Sequence, residues 1–132
     1  MHLTPLSHDE IGASASTTLQ STALKDGTLL TYHASNVLDG NLDTAWCQAG
    51  SEGAVEAQGS WLRLAWSTPS VVERIEIRNG YQKSDDVFFG NHRVNRLRIS
   101  GSGGQELVVD LDDARYPQPV ALAWTDVTSI TL

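Results

Sequence analysis

Two neighbouring stretches restrict the fold more than anything else in the chain. In Trp61-Leu-Arg-Leu-Ala-Trp66, Leu62, Leu64 and Trp66 alternate with Trp61, Arg63 and Ala65, and in Val71 to Arg78, Ile75 and Ile77 alternate with Arg74, Glu76 and Arg78. Successive side chains of an extended chain point to opposite faces, so this period-two pattern predicts strands with one face buried. Thr68-Pro69 between them predicts that the first strand stops there, because proline donates nothing to a ladder.

The pattern recurs towards the C-terminus. Leu97 and Ile99 alternate with Arg96, Arg98 and Ser100; Gly101 to Gly104 reads as a tight hairpin; Leu107, Val109 and Leu111 form the returning inner face. Asp112-Asp113 and Pro117-Gln118-Pro119 mark a further turn, and Val120 to Trp124 and Val127 to Leu132 close the chain as strands. Nearer the start, Gly12 to Leu19 suits an edge strand, Thr28 to Tyr32 a second short one, and Gly50 to Gly59 a loop. Residues 1–11 carry little periodic signal and read as an N-terminal extension holding at most a short helical turn. About eight short strands with Gly/Pro turns and no long helix predict an all-β fold, an antiparallel two-sheet sandwich or barrel, over residues 12–132. A chain of 132 residues is one domain long, and it can bury about 68% of its unfolded surface without a staple.

Residues 78 to 96 break the pattern. A connection this long between strands carries aromatics, amides and both signs of charge where plain turn residues would do. Loops beyond about 12–15 residues without their own secondary structure are uncommon in compact domains, and ordered ones are often functional. Over residues 78 to 98, Arg78, Lys83, Arg93, Arg96 and Arg98 stand against only Asp85 and Asp86, a local +3 on a chain of net charge −7. Such a strip either favours an anionic or acidic partner or is neutralised by carboxylates on neighbouring strands.

The overall negative charge argues against nucleic-acid binding, which needs a clustered basic footprint. No apolar run approaches the roughly 18–20 residues of a membrane span, so no membrane insertion is expected. The first residues lack the basic start and apolar centre of a signal peptide. That places the protein in the cytoplasm if Met1 is the true start, and outside the cell or on its surface if the domain is excised from an exported chain. The single Cys47 has no partner within the chain and leaves the compartment open.

Catalytic patterns are weak. Glycosidases need two carboxyl groups about 5–9.5 Å apart across a cleft, which adjacent Asp85-Asp86 does not indicate. Ser7-His8-Asp9 is not a triad, since triads assemble from separate segments. His2, His8, His33, His92 and Cys47 lack metal-ligand spacing, and there is no phosphate-binding glycine loop. Trp46, Trp61, Trp66 and Trp124 fall on or beside strands and read as core anchors.

Two stretches carry a resemblance. Asn36-Val-Leu-Asp-Gly-Asn-Leu-Asp-Thr-Ala-Trp46 resembles the N-terminal signature of discoidin (coagulation factor 5/8 type C) domains. Asn79-Gly-Tyr-Gln-Lys-Ser-Asp-Asp86 through Asn91-His-Arg-Val94 is similar to a narrower bacterial branch, the translocation or glycan-binding domain of secreted NAD glycohydrolases. The resemblance spans roughly residues 12–132. It implies a discoidin-like, galactose-binding-like jelly roll without catalytic activity that binds sugars or surfaces through loops at one end. Relatives continue beyond the position of Leu132 into another strand with an Asp and a Glu near its end, and Thr125 to Leu132 shows no equivalent. A sandwich lacking that strand would present an open edge, from which a homodimer or strand swap is expected.

The resemblance also implies a calcium site at the Asn36 carbonyl, Asp39, the Asn41 carbonyl and Thr44, against the alternative of an Asx turn in which Asp39 and Asn41 bond their own backbone. For the 78–96 segment, sugar recognition needs apolar faces and directional polar groups. Tyr81, Phe88 and Phe89 would supply the first; Gln82, Lys83, Asp85, Asp86, Asn91 and Arg93 the second. The alternative is that the aromatics tuck into the end of the sandwich and the charges pair among themselves. The expectation is a non-catalytic carbohydrate-binding module that attaches a larger or partner protein to a glycan or glycoprotein surface. A protein–protein interaction module, using the 78–96 loop or a sheet edge, is the alternative. Truncating Tyr81 is expected to weaken glycan binding without unfolding the domain.

Overall fold

A computed structural model of the chain describes residues 1–4, 11–47, 60–91 and 93–132. The expected Gly50 to Gly59 loop, the short helical turn before Gly12, and His8 and His92 lie outside the described residues. In chain order the elements are β1 (His2–Thr4), β2 (Gly12–Ala15), β3 (Thr22–Ala23), β4 (Leu29–Leu30), a 3-10 turn (Ala34–Leu38), β5 (Leu62–Arg78), the short helix α1 (Asp85–Gly90), β6 (Arg96–Gly101), β7 (Glu106–Asp110) and β8 (Gln118–Thr131). All pairings are antiparallel; they form a six-stranded sheet ordered β1-β5-β8-β6-β7, with β2 also on β5, and a two-stranded β3-β4 sheet.

The expected break at Thr68-Pro69 is absent: β5 runs unbroken for 17 residues and β8 for 14. Pro69 is tolerated because the β5–β8 ladder has no partners between Ala65 and Ser70 and shifts register there and twice more before Arg74. These irregularities serve the core. Inward residues switch from even positions, Leu62 and Leu64, to odd ones, Ile75 and Ile77, along β5. A regular strand would carry one of those pairs to the solvent face. Across the ribbon, β8 absorbs the same bend at Ala123 and Asp126, both with positive φ (51° and 54°).

Leu62, Leu64, Ile75, Ile77, Leu97, Ile99, Val120, Leu122 and Ile130 therefore meet in one apolar cluster. Among the described residues no helix is long enough to cover a sheet face, so the two halves of the ribbon cover each other as the layers of a sandwich. The four indoles sit at its margin, all half-buried. Trp46, Trp66 and Trp124 pack against the cluster, and Trp66 Nε1 donates to the Val127 carbonyl at 2.9 Å.

Residues 2–4 are more than an extension: they add strand β1 opposite Glu76 to Arg78, with Leu3 buried in the core. The end of β8 lies inside the sheet, Thr131 facing both Arg63 and Ser100, and Leu132 exchanges backbone bonds with Leu62. Among the described residues, the open edges of the large sheet are thus β1, β2 and β7, not the last strand. Gln118 and Pro119, expected in a turn, already belong to β8, and the Gln118 amide bonds both backbone groups of Asp112 at 2.7 and 3.0 Å.

Ile77→Ala is expected to lower unfolding free energy by about 2–5 kcal/mol, and Val71→Ala, on the exposed part of the bend, by no more than about 0.5 kcal/mol. Urea titration of both variants checks the assignment, and equal effects would contradict it.

Candidate functional site

The 78–96 excursion is a folded unit, not an irregular loop. Asn79, fully buried, closes its base: Nδ2 donates to the Val94 carbonyl at 2.6 Å and Oδ1 accepts from the Val94 N–H at 3.0 Å. Gly80 follows at φ +65°, where a Cβ would lie 2.8 Å from both the Phe88 ring and the Arg93 side chain. Ser84 then caps α1 by accepting from the Val87 N–H at 3.2 Å, and Asp85 and Asp86 sit in the first turn, where carboxylates suit the helix N-terminus. The expectation of a segment without secondary structure is corrected by this six-residue helix, which the Ser-Asp-Asp start encodes.

Several predicted contact residues face inward. Phe88 is fully buried, Gln82 is 2% exposed with its amide on the Asn79 carbonyl, and Tyr81 is 7% exposed. The Tyr81 hydroxyl donates to the Asp43 carbonyl at 3.2 Å, and burial pushes its pKa above the usual phenol value. These three hold the excursion onto the sandwich and onto the 39–44 turn. Tyr81 thus faces the protein rather than solvent, and its truncation is expected to cost stability as well as any binding.

Phe89, by contrast, is 61% exposed. Its ring stands edge-on to Phe88, with centroids 5.0 Å apart, and the Arg93 guanidinium lies 5.5 Å from it. Arg93 is the hub. Nε and Nη2 grip the two oxygens of Asp113 at 2.6 and 2.8 Å, and Nη1 donates to the carbonyls of Phe88, Phe89 and Asn91 at 3.3, 3.2 and 2.8 Å. This pairing holds the Asp113 carboxyl below the usual carboxylate range. Asn91 Nδ2 also reaches back to the Val87 carbonyl at 2.7 Å. At the other end of the helix, Arg115 Nη1 reaches Asp85 at 2.7 Å and Nη2 bonds the Gln82 carbonyl. Two ion pairs of opposite polarity thus clasp α1 to the 112–116 segment. Lys83 and Asp86 are exposed and pair with no described residue.

Beside Phe89 lies an open cleft of about 400 Å³, lined by Phe89, Asn91, Arg93, Val94, Asn95, Leu111 and Asp113. The cationic strip is largely neutralised: Arg93, Arg96 and Arg98 pair with Asp113, Asp110 and Glu106. Asn95, Leu111, Asp113, Arg115 and the exposed Tyr116 were not singled out as site residues. Only the Asp112-Asp113 turn signal marks their neighbourhood in sequence, because the partners of Arg93 and Asp85 lie 20 and 30 residues away.

In the 36–44 loop the Asx bonds form. Asp39 Oδ1 accepts from the Asn41 N–H at 2.8 Å and Asn41 Oδ1 from the Asp43 N–H at 3.0 Å. The Thr44 hydroxyl lies 2.5 Å from Asp39 Oδ2 and 2.9 Å from the Asn41 carbonyl oxygen. Three of the expected oxygens therefore converge. The Asn36 side chain is spent on the carbonyls of Thr31 and Ala45, and no group of three His, Cys, Asp or Glu is clustered among the described residues.

A family model described as the NAD glycohydrolase translocation F5/8 type C domain matches residues 9–131. No curated protein matches the chain.

Gly80→Ala is expected to cost about 2–5 kcal/mol, from left-handed backbone strain plus overpacking against Phe88 and Arg93. Gly104→Ala has φ +86° but open space around it, and is expected to cost only the strain, about 1–2 kcal/mol. Denaturant titration distinguishes them; a harmless Gly80→Ala would contradict the packing described.

Proposed function

The chain belongs to the NAD glycohydrolase translocation F5/8 type C family, and on that premise we propose that it is a non-catalytic carbohydrate-binding module. It attaches a linked or partner protein to a glycan or glycoprotein surface through the end of the sandwich formed by residues 81–91, 93–95 and 111–116. The observation that carries this is the exposed Phe89 ring beside a cleft whose polar side chains are the Asn91 and Asn95 amides and the paired Arg93 and Asp113. A flat apolar face next to directional polar groups is what a pyranose ring requires. The fixation matters as much as the chemistry, because a ring already held in place loses little freedom on binding.

An isolated domain binding a glycan array is the expected result. A silent array would contradict this reading. Capture of one defined protein partner would then favour the second reading, an interaction module working through the 78–96 segment or an edge strand, and a homodimer if the partner is a second copy. The observation favouring that reading is β7, whose outer edge pairs with no described strand and whose Val108 is 51% exposed.

On the same family premise we propose a calcium ion at Asp39, the Asn41 carbonyl and Thr44, with the Asn36 carbonyl as a further ligand. Calcium takes six to eight oxygens, and in support, three converge around a single hydroxyl proton. There it would tie the turn that receives the Tyr81 hydroxyl. Melting temperature is expected to rise with calcium and fall with chelator; no change in either direction would remove the ion from the account.

A further inference from the structure

We infer that the Phe89 cleft selects neutral saccharides and rejects acidic ones, an inference that rests on the glycan-binding reading above and narrows it to a ligand class. Recognition of a carboxylated or sulfated sugar calls for a cation with free donors, above all an arginine fork. Among the described residues the cleft is lined by one cation, Arg93, and all three of its nitrogens are already engaged. Its Nε and Nη2 face both oxygens of Asp113, and Nη1 faces three backbone carbonyls. The neighbouring Arg115 is held by Asp85 and the Gln82 carbonyl, and its Nε, which has no partner among the described residues, is buried away from the cleft surface. An acidic sugar entering the cleft would give up hydration and meet a paired guanidinium beside the Asp113 carboxylate, on a chain of net charge −7.

A neutral sugar meets no such obstacle. The Asn95 amide makes no hydrogen bond to any described residue, so its donor and acceptor are both open to hydroxyls. Each Asp113 oxygen takes one bond from Arg93 and has acceptor capacity left for an O–H. Phe89, with no polar atom on its ring, offers a surface for ring C–H groups. The volume of about 400 Å³ falls within the range of small-molecule sites, roughly 300–1,000 Å³. Asp113 is thus the residue that sets the charge preference, by occupying Arg93.

An array carrying neutral glycans beside sialylated, uronic and sulfated versions of the same cores tests the inference, followed by calorimetry on the hits at low and high salt. The expected result is binding to neutral members, at least about tenfold weaker binding of their acidic counterparts, and an affinity that salt barely changes. Phe89→Ala is expected to weaken binding about tenfold. Asp113→Asn frees the Arg93 guanidinium and is expected to move the acidic-to-neutral ratio several-fold towards acid. Phe89 and Asp113 are both exposed, and matching thermal melts verify that these variants fold. A preference for acidic glycans, or neutral binding that survives Phe89→Ala, would overturn the inference while leaving the module reading intact. An unchanged ratio in Asp113→Asn would overturn the role given to the ion pair. Silence across the array would overturn both.

Discussion

The pairing of β5 with β8 is the constraint on which everything else in the molecule rests. One ribbon has to line both layers of a single core, and a regular ribbon cannot, because its inward parity is fixed along its length. The register shifts between Ala65 and Arg74, and the positive φ values at Ala123 and Asp126, are where the chain changes parity. A left-handed alanine costs about 1–2 kcal/mol, which burial of residues such as Leu62, Ile77 and Ile130 offsets. With the ribbon bent, Arg78 and Arg96 become the fixed ends of the excursion, and Asn79 ties that excursion shut at its base.

From there the hierarchy is one of partners. Buried residues of the excursion, Tyr81, Gln82 and Phe88, spend their polar and apolar groups on the protein itself. Arg93 spends its charge on Asp113 and its remaining donors on the end of α1. What is left facing outward is Phe89, with the amides and carboxylate of the cleft. An exposed ion pair adds little stability by itself, but Arg93 also stacks near two rings and caps a helix end, so its effect is to fix geometry. On the proposed reading, the recognition ring is positioned in this way before a ligand arrives.

Much of the fold is legible in the sequence because it follows from period two. Leu62, Leu64, Ile75, Ile77, Leu97 and Ile99 are inward as alternation requires, and the glycine hairpin at 101–104 forms. The continuity of β5 through Pro69 was not legible, since a bulge is invisible until the partner strand is known. Nor was β1, whose three residues are too few to show a period. At the site, local chemistry carried part of the message: Asp39 and Asn41 bond their own backbone as such residues do. The roles of Phe88 against Phe89 were not legible, because a short helix turns one aromatic in and its neighbour out. The partners of Arg93 and Asp85 depend on the 112–116 segment reaching across, which only the closed fold brings about.

The central claim is that a rigid excursion clasped by Arg93–Asp113 and Arg115–Asp85 presents one face for a sugar. Backbone amide NMR of the domain titrated with a bound glycan tests it most directly. The account predicts shifts concentrated at Phe89, Gly90, Asn95 and Asp113, with the amides of the bent ribbon at Val71 and Asp126 unmoved. Shifts centred on the bend or on the β7 edge, with the Phe89 cleft silent, would contradict it.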